Sequence, residues 1–288
     1  MTIVPGGSFD KISPTALLTA YARQFAGIPY TREIAELTDA IATVNQFTEG
    51  KLNSLVIGLA AIVEGRYKAI EYVRSQFHAT QILELASGLL PRGMILSQQP
   101  EITFIESDLL AMIHQKQQLA QQLIGDRPNL HFLDIDATTT LNSSRLSAYF
   151  HVDQPVTVLC EGLMMYLTFA EKRQVFANMR EILQTFGGVW ITPDLTTKVG
   201  ADQMGRNSAA FEPVNQKISS LTGRLVAENE FADLDQARQF VREQGFQLDE
   251  FSMLEVLDQL ESLSTLKIER DIAKVMLSTI PIFVMSLE

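Results

Sequence analysis

Five short apolar runs punctuate the chain between residues 81 and 193, and stretches with helical spacing separate them. The runs are 81–86 (QILELA), 102–106 (ITFIE), 130–135 (LHFLDI), 156–161 (VTVLCE) and 188–193 (GVWITP). Runs of this length with little polar alternation suit strands buried on both faces, which crossover helices then cover. Helical patterns over 108–124 and 169–185 lie between them. The alternation predicts an α/β fold built on a parallel, doubly wound sheet. Two further runs, "FQLDEFSML" and "PIFVMSLE", with "EVLDQLESL" helical between them, bring the expected sheet to seven strands, mostly parallel, with helices on both faces.

Residues 1–80 have a different character. "TALLTAYARQFAG", "TREIAELTDAIATVNQF" and the segment from Ser54 to Phe77 all have helical spacing, so an N-terminal helical annex or lid is expected over 1–80. The core is then expected over 81–288, interrupted at about 200–245 by a polar, mostly helical insertion before the last two strands. Annex and insertion are the parts that could cover a site.

The net charge of −11 leaves no basic footprint for nucleic acid and no polybasic patch for a membrane. The longest apolar run, "LVIGLAAIV", is too short to span a bilayer. The first residues lack the basic and apolar regions of a signal peptide, and the single cysteine, Cys160, can form no internal disulfide, so a cytoplasmic protein is expected. His78, His114, His131 and His151 are scattered without metal-ligand spacing, and no metal is expected.

In open parallel sheets, ligands bind outside the carboxyl ends of the strands. Acids stand near all five of these ends: Glu84, then Glu106 and Asp108, then Asp134 and Asp136, then Glu161, then Asp194. A dinucleotide would need a G-x-G-x-x-G turn for its pyrophosphate, but the corresponding turn is Ala86-Ser87-Gly88-Leu89-Leu90-Pro91. An acidic mouth would also repel phosphates. S-adenosylmethionine (SAM) carries a sulfonium and an ammonium, which carboxylates stabilise, and a ribose diol that a carboxylate can accept. Glu106, 18 residues after Gly88, is close to the spacing of a ribose-binding acid. Glu84 is expected near the methionyl end, and Gly88 lets the backbone approach the ligand. Ala86, Ser87, Ser107, Leu133, Asp134, Ile135, Asp136, Glu161 and Gly162 complete the expected cofactor contacts, with either Asp134 or Asp136 facing the adenosine. Asp108 alternatively caps the helix that follows it.

The stretches "ILELASGLLPRG", "FIESDL", "FLDIDA" and "LCEGLMMYLT" resemble the leucine carboxyl methyltransferase family, which includes bacterial polyketide O-methyltransferases. The similarity covers roughly residues 60–195. Its most specific piece is the run Glu161-Gly162-Leu163-Met164-Met165-Tyr166-Leu167. The resemblance implies a class I, Rossmann-like SAM-dependent methyltransferase. It also implies that Arg66, on the helix before the first strand, contacts the SAM carboxylate, and that Arg92 corresponds to the arginine of the first motif. The chain departs from the family pattern where Ala86 replaces a glycine, where Leu90-Pro91 replaces Asp-Thr, and where Glu71 stands for the usual Asp.

The expected activity is methyl transfer from SAM to a hydroxyl or carboxyl oxygen of a small molecule, polyketide-like or another secondary metabolite. A protein carboxyl methyltransferase and a catalytically idle SAM-fold binding protein are the alternatives. Tyr166 is the residue expected near the acceptor, with Asp194 a second candidate for orienting it. Phe25, Tyr30, Phe47 and Phe211 could line the acceptor pocket, although aromatics and the pair Met164-Met165 equally suit packing.

Overall fold

The computed structural model describes residues 13–42, 44, 54–204, 206, 212, 216, 219–220, 223–224 and 226–287. Its centre is a seven-stranded sheet of β1 (Gln81–Leu85), β2 (Thr103–Asp108), β3 (Leu130–Asp134), β4 (Val156–Cys160), β5 (Gly188–Thr192), β6 (Phe246–Ser252) and β7 (Pro281–Leu287). The order is β3-β2-β1-β4-β5-β7-β6. The first five strands run parallel, and β7 lies antiparallel to both β5 and β6. Strand order reverses between β1 and β4, the switch point at which such sheets open a crevice for ligands.

Every residue of β1 and β4 is buried, as central parallel strands require. Alternate residues serve opposite faces. Leu85, Val158 and Trp190 pack with Phe176 of α6 (Phe169–Phe186) and Phe240 of α8 (Leu234–Glu243). Ile82, Leu159 and Ile191 pack with Ile70 of α3 (Ser54–Arg74) and Leu277 of α10 (Arg270–Ser278).

Two more N-terminal helices, α1 (Ser13–Arg23) and α2 (Thr31–Leu37), precede α3, and α1 packs on α3. Short α4 (Arg92–Leu96) and longer α5 (Leu110–Ile124) connect β1 to β2 and β2 to β3. Within the expected insertion lie α7 (Lys198–Gln203) and a 3-10 turn at Val226–Asn229. The helical stretch between β6 and β7 divides into a 3-10 segment, Met253–Gln259, then α9 (Glu261–Leu266) and α10. No helix among the described residues is long and apolar enough to cross a membrane.

Candidate active site

After β1 the chain turns through Ala86-Ser87-Gly88. Ala86 (φ 50) and Gly88 (φ 49) are both left-handed. A Cβ on Gly88 would meet only Ala16 Cβ and Ala86 O, both at 3.9 Å, so backbone conformation rather than crowding favours glycine there. Ala86 takes the same region without that freedom, at a cost of about 1–2 kcal/mol. Neighbouring elements hold the turn. Ser87 N–H donates to Ser107 O (2.9 Å), and Gly88 N–H donates to Oδ2 of Asp108 (2.8 Å). Oδ1 of Asp108 accepts from Leu109 N–H (2.8 Å), at the start of α5. From α5, buried Lys116 donates to the carbonyls of Gly88 (3.3 Å) and Leu90.

A second turn follows β4. Gly162, Leu163 and Met164 all donate their N–H groups to the buried carboxylate of Asp194 (2.9, 2.7 and 3.2 Å). The turn fixes Glu161 at one end and Tyr166 at the other. Oε1 of Glu161 lies 3.4 Å from Arg23 on α1 and 3.4 Å from Arg66 on α3, and Oε2 lies 3.4 Å from Arg92. Burial opposes ionisation of Glu161, but Arg66, Arg23 and Arg92 hold its carboxyl below the usual range. Burial lowers Arg23 to about 10, against the pull of Glu161. The Nε atoms of Arg23 and Arg66 are buried without a hydrogen-bond partner among the described residues.

These two turns face one cavity of about 1000 Å³. Its charged lining comes from Arg23, Arg66, Asp108, Asp136 and Glu161, together with Arg206, Glu212 and Glu228 of the insertion. Its apolar lining includes Leu59, Ile62, Met204, Met276 and Ile280. Small-molecule sites span roughly 300–1,000 Å³, so this one has room for a cofactor and a second molecule together. Thr15 of α1 and Val226 and Ala227 of the insertion complete parts of the wall.

The cavity wall collects Arg66, Ala86, Ser87, Gly88, Ile135, Asp136, Glu161, Gly162 and Tyr166 from among the expected residues. It does not collect Glu84, Glu106, Ser107, Leu133 or Asp134. Glu84 follows Ile82 by two residues and so projects to the α3 face of the sheet, where Arg92 neutralises it. Glu106 sits beside Glu84 in register on the same face, fully buried, with Lys116 Nζ 2.6 Å from its Oε2. β2 runs two residues further than expected, so its true carboxyl end is Asp108, which does line the cavity. Ser107 Oγ is used on Glu84 O (2.9 Å). Of the two aspartates after β3, Asp136 faces the cavity, and exposed Asp134 does not.

Asp194 holds three backbone N–H groups and is a positioning group for the turn rather than a wall residue. Phe25 and Tyr30 pack into apolar clusters and do not line the cavity, while Phe47 and Phe211 lie outside the described residues. Met165 lines the cavity and Met164 is core. The sequence did hold a signal for Arg23, a lone cation in the apolar helical run "TALLTAYARQ". For Asp108 the signal was its spacing, 20 residues from Gly88 rather than 18.

The family model for leucine carboxyl methyltransferase matches residues 20–180, more than half of the chain and all of both turns. The chain belongs to the leucine carboxyl methyltransferase family. It is a SAM-dependent methyltransferase. A candidate methyltransferase from Thermobifida fusca YX shares the fold with a TM-score of 0.57 at 15% identity, over 100% of both chains. The magnesium protoporphyrin IX methyltransferase of Synechocystis PCC 6803, solved with bound S-adenosylhomocysteine, matches with a TM-score of 0.46 at 14% identity, over 84% of this chain and 91% of that one. For this member of the leucine carboxyl methyltransferase family, the likeness to the Thermobifida protein is one of fold.

The donor set fits SAM. Among the described residues Arg23 and Arg66 both pair with Glu161, and both line the cavity, where guanidinium groups suit the methionyl carboxylate. Asp108 uses one lone pair on each oxygen for a backbone N–H and keeps others for a diol.

Proposed function

We propose that the enzyme transfers a methyl group from SAM to a hydroxyl or carboxyl oxygen of a small, largely apolar acceptor. The observation that carries this reading is one large cavity, bordered by both turns, whose wall holds Arg23, Arg66, Asp108, Asp136 and Glu161 together with many apolar side chains. On this reading Arg23 and Arg66 bind the cofactor carboxylate, Asp108 accepts from the ribose diol, and Asp136 faces the adenosine. The helices of residues 13–80 and the insertion act as the cover, a role supported by Thr15, Leu59, Ile62 and Val226 in the cavity wall.

SAM, when bound, supplies an electrophilic methyl on a good leaving group. What remains for the chain is to align the acceptor oxygen and exclude water. The apolar wall of Leu59, Ile62, Met204, Met276 and Ile280 supports both tasks. Tyr166 lines the cavity, but its hydroxyl bonds to Thr15, and burial raises its pKa, so it serves as wall and not as base. An acceptor carboxylate needs no base; a hydroxyl acceptor would rely on its own acidity or on water.

The reading is tested by incubating the enzyme with methyl-labelled SAM and a panel of apolar acids, phenols and alcohols beside peptides with a free C-terminus. Label in an ester or ether of the small molecules is expected. Label confined to the peptides, or no transfer with SAM bound, would overturn it. For the cofactor, Arg66→Lys should weaken SAM and S-adenosylhomocysteine but spare 5′-methylthioadenosine, which lacks the carboxylate. The planar fork of arginine suits a carboxylate in a way lysine cannot copy.

A further inference from the structure

Arg92 is fully buried and lines no part of the cavity. Its guanidinium nevertheless meets three carboxylates on three elements. Nε donates to Glu71 of α3 (2.7 Å), NH1 to Glu84 of β1, and NH2 to Oε2 of Glu161 after β4 (3.4 Å). Its central carbon stands 4.6 Å from the ring centre of Tyr67. Neutralising Glu84 would take only one of these donors. The division of labour at Glu161 points to more. Arg92 holds Oε2 from the buried side, while Oε1 stands between Arg23 and Arg66, the two arginines that line the cavity. Both of those arginines keep a buried Nε without a hydrogen-bond partner among the described residues.

We propose that Arg92 is a positioning residue for the cofactor's carboxylate. By fixing Oε2 of Glu161 it sets the place of Oε1, and Oε1 in turn spaces Arg23 and Arg66 into a fork. The inference rests on the reading that Arg23, Arg66 and Glu161 receive the methionyl end of SAM. Arginine suits this post because one rigid, planar group of five donors can serve three acids in fixed directions. Lysine would keep the charge that Glu84 needs but would be a single point, and would release Glu161.

The test is calorimetric titration of the full-length Arg92→Lys protein with S-adenosylhomocysteine and with 5′-methylthioadenosine, beside the wild type and Arg66→Lys. Arg92→Lys is expected to weaken S-adenosylhomocysteine about tenfold, the scale of one hydrogen bond to a charged group, and to leave 5′-methylthioadenosine within about twofold. An equal loss for both ligands would make Arg92 a scaffold residue, and no loss for either would make it a bystander; each overturns the proposal. Arg66→Lys separates the two levels. If it discriminates between the ligands and Arg92→Lys does not, the positioning role fails and the reading of the cavity stands. If Arg66→Lys does not discriminate, the reading of the cavity fails and takes the positioning role with it. Should Arg92→Lys not fold, Glu71→Gln loosens one tine of the fork from a partly exposed position. It should weaken S-adenosylhomocysteine about two- to fivefold while sparing 5′-methylthioadenosine, and an equal effect on both, or none, again overturns the proposal.

Discussion

Gly93 packs directly against the carboxylate of Glu106: a Cβ on Gly93 would stand 2.9 Å from Cγ and Cδ of Glu106 and closer still to Oε1. Glu106 cannot move aside easily, since it is fully buried and paired with Lys116, which also holds the carbonyls of Gly88 and Leu90. A single methyl group at 93 therefore presses on the ion pair that fixes the first turn. Gly93→Ala is expected to destabilise the fold by roughly 1–3 kcal/mol, as overpacking does, despite the better helix propensity of alanine. Chemical denaturation checks it; a Gly93→Ala protein as stable as wild type would show that Glu106 has room to yield.

The alternation of runs made the five parallel strands and their helices legible, because burial on both faces writes the same apolar pattern whatever the fold's function. The acids were legible as a set, but not which of them face the cavity. Glu84 and Glu106 look like strand-end acids in sequence, and in the structure they are buried counter-charges for Arg92 and Lys116. Strand alternation and a two-residue error in the end of β2 decided this, and strand ends are poorly marked when an acid can either finish a strand or cap a helix. For Arg23 the lone cation in an apolar helix was visible but its partner was not: α1 meets Glu161 across 138 residues of sequence, and no local pattern records such a contact.

Asp108 should matter to the cofactor more than Glu106 does through direct contact. It anchors Gly88 N–H and lines the cavity, and burial raises its pKa against the backbone groups that bond to it. Asp108→Asn is expected to weaken S-adenosylhomocysteine by about 1.5–3 kcal/mol, the scale of hydrogen bonds to a charged group. Adenine, which lacks the diol, should lose less. Equal losses for adenine and S-adenosylhomocysteine would move Asp108 from ligand contact to turn support.

Asp194 acts on the second turn. Its three backbone partners would face an amide in Asp194→Asn, and one of them would meet an NH₂ group instead of an acceptor. A loss of roughly 1–3 kcal/mol of stability is expected from the unmade bond. Cofactor affinity should fall as well, because Glu161 precedes that turn. Thermal unfolding with and without S-adenosylhomocysteine reads both; an unchanged melting temperature would remove Asp194 from the support of this turn.

Lys172 of α6 ties the insertion to the core by donating to Leu167 O (2.6 Å) and Asn229 O (2.7 Å). Burial lowers its pKa from 10.5 to about 8, against the opposing pull of Asp194, Glu171 and Glu230. Between those two values the unfolded chain holds a proton that the folded chain does not, so this group makes stability rise with pH across that window. The contribution is full above the unfolded value and is lost as pH falls through about 8. Lys172→Met removes the dependence. Denaturation midpoints at pH 7 and pH 10 should therefore diverge between the two proteins, with wild type gaining on the variant at higher pH. A constant difference would mean that Lys172 keeps its charge in the fold.

Tyr166 decides whether the chain supplies a base. Its hydroxyl bonds to Thr15 of α1, and burial disfavours the phenolate. A tyrosine so placed shapes the wall and links the second turn to the N-terminal helices, but it has little tendency to take a proton from an acceptor. Tyr166→Phe keeps the ring and loses the bond. General bases contribute typically 10²–10⁴-fold, whereas loss of one neutral hydrogen bond amounts to about tenfold or less. The variant is expected to hold kcat within about tenfold of wild type, with an unchanged pH profile and its main deficit in KM. A fall of about a hundredfold or more in kcat, with the basic limb of the profile gone, would instead make Tyr166 the base and would favour a hydroxyl acceptor over a carboxylate.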